Sequence, residues 1–223
     1  MRRLPFALVL MLLLVAAPVF SQDSLTVGIV VFEGFLTSEV TAPLEVFSKA
    51  KVKGATAFEV ITIGVSKRVI VSEEGLRLTP DEDFESAPKI DILVVPSALD
   101  VEGIMTNEPV VQFIRDRAPR ATWVASHCAG AFLLGKAGFL SGRRVTTYIG
   151  GAKDLQEKFP EAKVVDEHVV VDGHLVSSIG GVTSYDASLD LLERITDAEL
   201  ASKVAEALYY FSWTKKGRSS PTP

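Results

Sequence analysis

Two short apolar runs, Leu25–Phe32 and Ile90–Val95, constrain the fold of this chain most strongly. Neither run alternates apolar with polar side chains, so both are typical of strands buried on both faces of a sheet. Stretches with helical spacing separate such runs, as in Thr37–Lys51, where apolar side chains recur on one side. This alternation predicts an α/β fold, in which helices sandwich a mostly parallel sheet.

The rest of the chain continues the same alternation. Ala121–Ala125 is a predicted strand, Ala129–Ala137 is a predicted helix, and Asp172-Gly173 is a strong turn signal for a β-hairpin. The other predicted elements are strands over Ala57–Val65, Gly142–Thr147, Val164–Val171 and His174–Ile179, a hairpin over Val69–Thr79, and helices over Pro109–Arg117, Asp154–Phe159, Ser184–Ile195 and Asp197–Phe211.

The first 21 residues have the pattern of a secretory signal peptide. Arg2 and Arg3 precede the apolar run Leu4–Phe20, and Val19 and Ser21 place modest side chains before a cleavage point. The alternative is an uncleaved membrane anchor. The run has 17 residues, including two prolines, and a spanning helix needs about 20.

We therefore predict a signal peptide over residues 1–21, one domain over residues 22–212 and a flexible tail over residues 213–223. The protein is expected to be secreted or periplasmic, and to meet a membrane only through the signal segment during export. The chain carries 23 basic and 28 acidic residues, a net charge of −5. This acidic balance argues against a nucleic-acid partner, because nonspecific binding to nucleic acid requires a basic face.

Cys128 is the only cysteine, so it cannot form an internal disulfide. It is a buried filler, an intermolecular link or a reactive thiol. It lies between a predicted strand and a predicted helix, where a tight turn lifts a nucleophile out of a sheet. Ala129 and Gly130 leave room for such an elbow, and the Ala129 N–H can stabilise a developing negative charge. The elbow is expected to favour the thiolate by lowering the cysteine pKa.

Glu39 is the candidate proton carrier. It follows the first predicted strand by one loop, so it reaches the same sheet edge as Cys128 if the two strands are neighbours. A carboxyl group beside a thiol can carry the proton that covalent chemistry moves. The alternative is that Glu39 is an ordinary first-turn acid, favoured by the positive end of the helix dipole.

A series of motifs in fixed order resembles the ThiJ/PfpI superfamily, which has the class I glutamine-amidotransferase-like, flavodoxin-like fold. The superfamily includes deglycases, intracellular proteases and isonitrile hydratases, and the resemblance covers about residues 25–196. The motifs are Glu39-x-x-x-Pro43, Val94-Val95-Pro96, Ser126-x-Cys128-Ala129-Gly130-Ala131, Arg144-Val145-Thr146-Thr147, Val171-Asp172-Gly173 and Ile179-Gly180-Gly181-Val182-Thr183-Ser184.

The resemblance implies a role for each matching position. Cys128 matches the reactive cysteine, and Glu39 matches the acidic partner beside the sulfur. The backbone N–H groups of Ala98 and Ala129 match the pair that holds an oxyanion. Relatives have Pro-Gly-Gly where this chain has Pro96-Ser97-Ala98, which changes the loop that carries one donor. The resemblance also implies a homodimer.

The chain departs from its relatives at histidine. The protease branch has histidine where this chain has Ala129, and the deglycase and glyoxalase branch has histidine where this chain has Tyr148. We assign Tyr148 and His127 to the substrate pocket, although strand alternation can turn His127 away from the sulfur. His168 and His174 are expected at the surface. No zinc set and no cofactor are expected.

These features favour a cysteine-dependent hydratase or lyase that acts on a small electrophile, resembling isonitrile hydratases, because this chemistry needs no histidine. Glyoxalase or deglycase activity on reactive carbonyls is the first alternative, since Glu39 is glutamate as in that branch. A redox or electrophile sensor, with Cys128 cycling through sulfenic or sulfinic acid, is the second. A binding domain with a relic site is the third.

Overall fold

A computed structural model describes residues 24–53 and 58–211. The predicted signal peptide and tail lie outside these residues, so export stays a prediction. Within the described part of the chain, no helix is long and apolar enough to cross a membrane.

The described residues form strands β1 (Leu25–Val30), β2 (Phe58–Gly64), β3 (Ile70–Val71), β4 (Arg77–Leu78), β5 (Glu82–Asp83), β6 (Ile92–Val95), β7 (Trp123–His127), β8 (Arg144–Val145), β9 (Lys163–Val164), β10 (Val169–Asp172) and β11 (Leu175–Ser178). They form helices α1 (Thr37–Lys53), α2 (Val101–Met105), α3 (Glu108–Arg117), α4 (Gly130–Lys136), α5 (Ala152–Lys158), α6 (Thr183–Ile195) and α7 (Ala198–Ala207).

Seven strands make one central sheet in the order β10-β11-β7-β6-β1-β2-β5. Every neighbouring pair is parallel except β10 and β11, which form the predicted antiparallel hairpin. The central strands β1 and β6 are buried almost throughout, as continuous apolar runs require. Helices α1, α6 and α7 contact one another on one side, and α2, α3 and α4 do so on the other. The predicted α/β fold is confirmed.

The structure shortens one predicted strand and divides another. In place of Gly142–Thr147, only Arg144–Val145 is a strand, and it pairs with β9 in a separate two-stranded sheet. In place of Val164–Val171, the chain forms β9 and then β10, with a break between them. The polar residues Asp166, Glu167 and His168 fall in this break and are exposed, so the run cannot be one buried strand.

The residues of the candidate site follow the carboxyl ends of four adjacent strands. Strand β1 leads to Glu39 in the first turn of α1, β6 leads to Ser97, β7 leads to Cys128, and β11 leads to Gly180. These strands are the contiguous series β11-β7-β6-β1. Since parallel strands end at one edge of the sheet, the topology brings all four residues together, at the place where such sheets bind ligands.

Candidate active site

Cys128 occupies a strained elbow between β7 and α4. Its φ of +51° lies in the left-handed region, which a residue with a side chain rarely adopts. The Cys128 N–H donates to the Ser178 carbonyl oxygen at 2.9 Å, and the Thr147 hydroxyl donates to the Cys128 carbonyl oxygen at 2.9 Å. The neighbouring loops therefore hold the strained conformation, and the half-buried side chain stays reachable from solvent.

Gly130 lets the elbow pack tightly against the next strand. A Cβ at this position would collide with the Val95 carbonyl oxygen and lie 3.0 Å from the Pro96 carbonyl oxygen. Only a residue without a side chain brings the start of α4 this close to the end of β6. The Ala129 N–H faces the Cys128 sulfur, where it lowers the pKa of the thiol.

Glu39 is fully buried and is held by one residue through two hydrogen bonds. The Ser97 N–H and the Ser97 hydroxyl each donate to Glu39 Oε2 at 2.8 Å. Oε1 is buried and has no hydrogen-bond partner among the described residues. A Cβ at Gly180 would collide with both Glu39 Oε1 and Cys128 Cβ, so this free oxygen lies beside the cysteine.

Burial controls the protonation of both groups. It raises the pKa of Glu39, against the opposing effect of the hydrogen bonds from Ser97. Burial and then the Glu39 charge raise the pKa of Cys128 to about 11, against opposing hydrogen bonds from Ser97 and Ala129. The expectation that the elbow lowers the cysteine pKa is therefore wrong for the free protein. The Cys128 thiol therefore keeps its proton at neutral pH, and it is activated when that proton moves.

Tyr148 lies near the cysteine. Its ring is half-buried and stacks on Phe132 with centroids 6.0 Å apart. Burial, then Asp154 and Cys128, raise the pKa of the phenol, so its oxygen is within electrostatic reach of the sulfur. Ala98 is buried in the loop after β6 and forms an isolated bridge with Phe35. Its role as an oxyanion donor stays a prediction.

His127 lies beneath the site, and its assignment to the substrate pocket is corrected. Only 1% of its surface is exposed, so a diffusing substrate cannot touch it. Its Nδ1 lies 2.8 Å from the Ser178 hydroxyl, and burial lowers the pKa of His127 to about 3. The ring is thus neutral at any working pH. His168 is exposed, and His174 packs edge-on against Phe139 before the start of β11. No group of three metal-binding side chains occurs within residues 24–53 and 58–211.

Residues 25–194 match the DJ-1/PfpI family. The chain belongs to the DJ-1/PfpI family. One relative is isonitrile hydratase of Pseudomonas putida, which is 35% identical to this chain over 141 residues. These residues are 63% of this chain and 61% of that protein. Another is the HTH-type transcriptional regulator GbdR of Pseudomonas aeruginosa, 23% identical over 86% of this chain and 53% of that protein.

Solved structures agree with this DJ-1/PfpI assignment. A THiJ/PfpI family protein from Pseudomonas syringae superposes with a TM-score of 0.76 at 20% identity, over 91% of this chain and 78% of that one. At this identity the likeness concerns the fold alone. The chain spans only 61% and 53% of the isonitrile hydratase and the regulator, so their activities come to this family member as proposals.

Two serines that build the candidate site could not be identified from the motifs. Ser97 appeared only as a departure from the Pro-Gly-Gly pattern, yet it supplies both donors to Glu39. Ser178 contacts two parts of the site. Its carbonyl oxygen accepts from the Cys128 N–H, and its hydroxyl accepts from the Gly180 N–H at 3.3 Å. The same hydroxyl lies 2.8 Å from His127 Nδ1.

Replacing Ser178 with alanine should slow alkylation of Cys128 by iodoacetamide about tenfold, because the Gly180 N–H and His127 Nδ1 lose their shared partner. Unfolding should become easier by about 1–3 kcal/mol, the usual effect of leaving buried polar groups unpaired. Ser188→Ala is the matched control, since Ser188 is buried in α6 and bonds only the Ser184 carbonyl oxygen. Equal alkylation rates in the two variants would contradict this role.

Proposed function

We propose that the chain is a cysteine-dependent hydratase that adds water to a small isonitrile. The observation that carries the proposal is Glu39 Oε1, a buried carboxyl oxygen without a hydrogen-bond partner among the described residues, placed beside Cys128. Hydration of an isonitrile needs a nucleophile and one mobile proton, and the Cys128 thiol keeps such a proton at neutral pH. The similarity to isonitrile hydratase of Pseudomonas putida supports the same choice.

The first half-reaction forms a thioimidate. Glu39 takes the proton of the Cys128 thiol as the sulfur attacks the terminal carbon of the isonitrile, and a carbon–sulfur bond forms. Glu39 returns that proton to the same carbon, which gives R–N=CH–S–Cys128. No proton is gained or lost overall, so the raised pKa of both groups suits a pair that must keep its proton until substrate arrives.

The second half-reaction releases the formamide. Glu39 takes a proton from water as the water oxygen attacks the thioimidate carbon, and it passes that proton to the nitrogen. The new hydroxyl then loses its proton as the carbonyl forms and the carbon–sulfur bond breaks, the sulfur takes up that proton, and R–NH–CHO departs. The Ala129 N–H, which faces the sulfur, stabilises the negative charge that develops as this bond breaks. The sum is one isonitrile and one water converted into one formamide.

Incubation of the protein with an aryl isonitrile should yield the aryl formamide, which is measured by chromatography. Cys128→Ser should remove all turnover above background, because the serine hydroxyl is a far weaker nucleophile at neutral pH. Glu161→Gln, at an exposed residue beside the Gly142 loop, is the matched control and should keep full activity. Formamide production that survives in Cys128→Ser would overturn the proposal.

Glyoxalase or deglycase chemistry is the second candidate, favoured by glutamate at position 39. The structure weighs against it, because the neutral, buried His127 cannot exchange protons with a substrate. This alternative would be favoured over the hydratase if the protein formed lactate from methylglyoxal. The reaction would have to depend on Cys128 and be faster than the turnover of any isonitrile. Absence of both activities, with selective addition of oxygen to Cys128 by dilute peroxide, would favour the sensor.

A further inference from the structure

Three exposed apolar side chains lie on the loops that build the site. Within the described residues, the strongly exposed large apolar side chains number eight. Three of them are Leu99, Ile149 and Val182, which are 66%, 77% and 73% exposed. We call these three residues the apolar rim. Apolar surface gathered around a reactive group is typical of a binding site rather than of ordinary surface.

Each rim residue is close in sequence to a residue that contacts the reacting pair. Leu99 lies two residues after Ser97, which holds Glu39. Ile149 follows Tyr148, whose pKa responds to Cys128. Val182 lies two residues after Gly180, the point where Cys128 and Glu39 meet. The rim therefore approaches the site from three separate loops.

These loops carry no charged side chain. Residues 96–99, 146–151 and 179–185 contain neither acid nor base. The bases that flank the second loop, Arg144 and Lys153, are paired with Glu167 at 2.7 Å and Glu157 at 3.7 Å. The charges that raise the pKa of Tyr148 are those of Asp154 and Cys128, both negative when ionised. These loops offer no cation to an anionic substrate, and the buried Glu39 carboxyl lies beside Cys128.

We infer that the apolar rim binds the substituent of the electrophile and selects neutral, apolar compounds over anionic ones. That this electrophile is a substrate rests on the proposed function. The selectivity itself applies to any electrophile that reacts with the Cys128 thiol. An apolar substituent buries the rim side chains on binding, and that burial is favourable. A carboxylate or sulfonate would instead lose water next to Glu39 without gaining a cation.

The test uses methanethiosulfonates, which form a disulfide with a thiol and release methanesulfinate, so they report on Cys128 without turnover. Rates of adduct formation are measured by intact mass and divided by those of N-acetylcysteine. For the wild-type chain, the benzyl reagent should react at least fivefold faster than the methyl reagent. The methyl reagent should react at least thirtyfold faster than the sulfonatoethyl reagent.

Val182→Lys should increase the rate of adduct formation with the sulfonatoethyl reagent at least tenfold. It should also remove the preference for the benzyl reagent over the methyl reagent. Thr122→Lys is the matched control, because Thr122 is exposed just before β7 and so lies at the opposite edge of the sheet. It adds the same charge and should change neither ratio. Ile149→Ser, which adds no charge, should reduce only the benzyl preference.

The outcomes separate the selectivity from the hydratase proposal. A wild-type chain that shows these ratios but makes no formamide keeps the rim inference and overturns the proposed function. Turnover of an aryl isonitrile and of its carboxylated analogue with equal kcat/KM overturns the rim inference alone. A change of molar mass in Val182→Lys by light scattering would place the rim between two copies of the chain, and would also overturn the inference.

Discussion

Replacement of Glu39 by glutamine should lower isonitrile turnover about a thousandfold, within the range usual for loss of a proton carrier. Glutamine keeps the shape of the side chain, and its amide oxygen can still accept from the Ser97 N–H and hydroxyl. It cannot take a proton from Cys128 and return it to carbon. The loss therefore falls on kcat, whereas KM should change little because the rim loops are untouched.

The same variant should shift the pH dependence of Cys128 in an informative direction. In the wild-type chain, burial and then the Glu39 charge raise the pKa of the thiol to about 11. Glutamine removes the charge and leaves the burial, so the pKa should fall below about 11. The rate of alkylation by iodoacetamide, read by intact mass against pH, reports this pKa, and each cysteine adduct lies on the only cysteine.

Activity and reactivity should thus move in opposite directions, which a general loosening of the fold would not produce. Glu45→Gln is the matched control, because Glu45 is on the exposed side of the same helix and accepts from the Tyr185 hydroxyl. It should leave turnover and the alkylation profile unchanged. A Glu39→Gln variant with full turnover, or with a higher thiol pKa, would remove Glu39 from the mechanism.

The fold could be predicted wherever burial alone decides the local structure. Continuous apolar runs have few alternatives, so β1 and β6 could be predicted as strands buried on both faces, and both lie inside the central sheet. Helix α7 begins at Ala198, one residue after the predicted start, because Asp197 caps it: the Asp197 carboxyl group accepts from the Leu200 N–H at 2.8 Å. It ends at Ala207 rather than Phe211, and Tyr209 then takes a φ of +56°. The partner of β8 could not be predicted, because pairing of two-residue strands is decided by distant parts of the chain.

The site was predictable in its chemistry and less so in its electrostatics. A lone cysteine at a strand–helix junction pointed to the elbow, and the strand order brings Glu39 there. The direction in which the pKa of Cys128 shifts depends on burial by the surrounding loops and on the charge of Glu39, which is distant in sequence. No local pattern contains that information. Ser97 and Ser178 were missed for a similar reason, since each acts on a partner far along the chain.

Replacing Gly180 with alanine should lower turnover at least about a hundredfold, because small displacements of reacting groups reduce rates by this order. Gly180 has a φ of +86°, and an added Cβ would collide with Cys128 Cβ and Glu39 Oε1. Relief of these contacts moves the carboxyl oxygen, the cysteine or the loop that carries Gly180, and each movement changes the path of the proton between Glu39 and Cys128. Iodoacetamide, which needs no proton from Glu39, should lose less rate than the isonitrile.

Gly75→Ala separates this collision from simple backbone strain. Gly75 has a φ of +90°, close to that of Gly180, but a Cβ there would meet nothing within 4 Å. Gly75→Ala should lose about 1–2 kcal/mol of stability, the usual effect of a side chain in this region, and Gly180→Ala should lose at least as much, measured by urea unfolding. Only Gly180→Ala should lose turnover. If Gly75→Ala lost as much activity, or Gly180→Ala kept it, the close contact between the glycine and the reacting pair would not control catalysis.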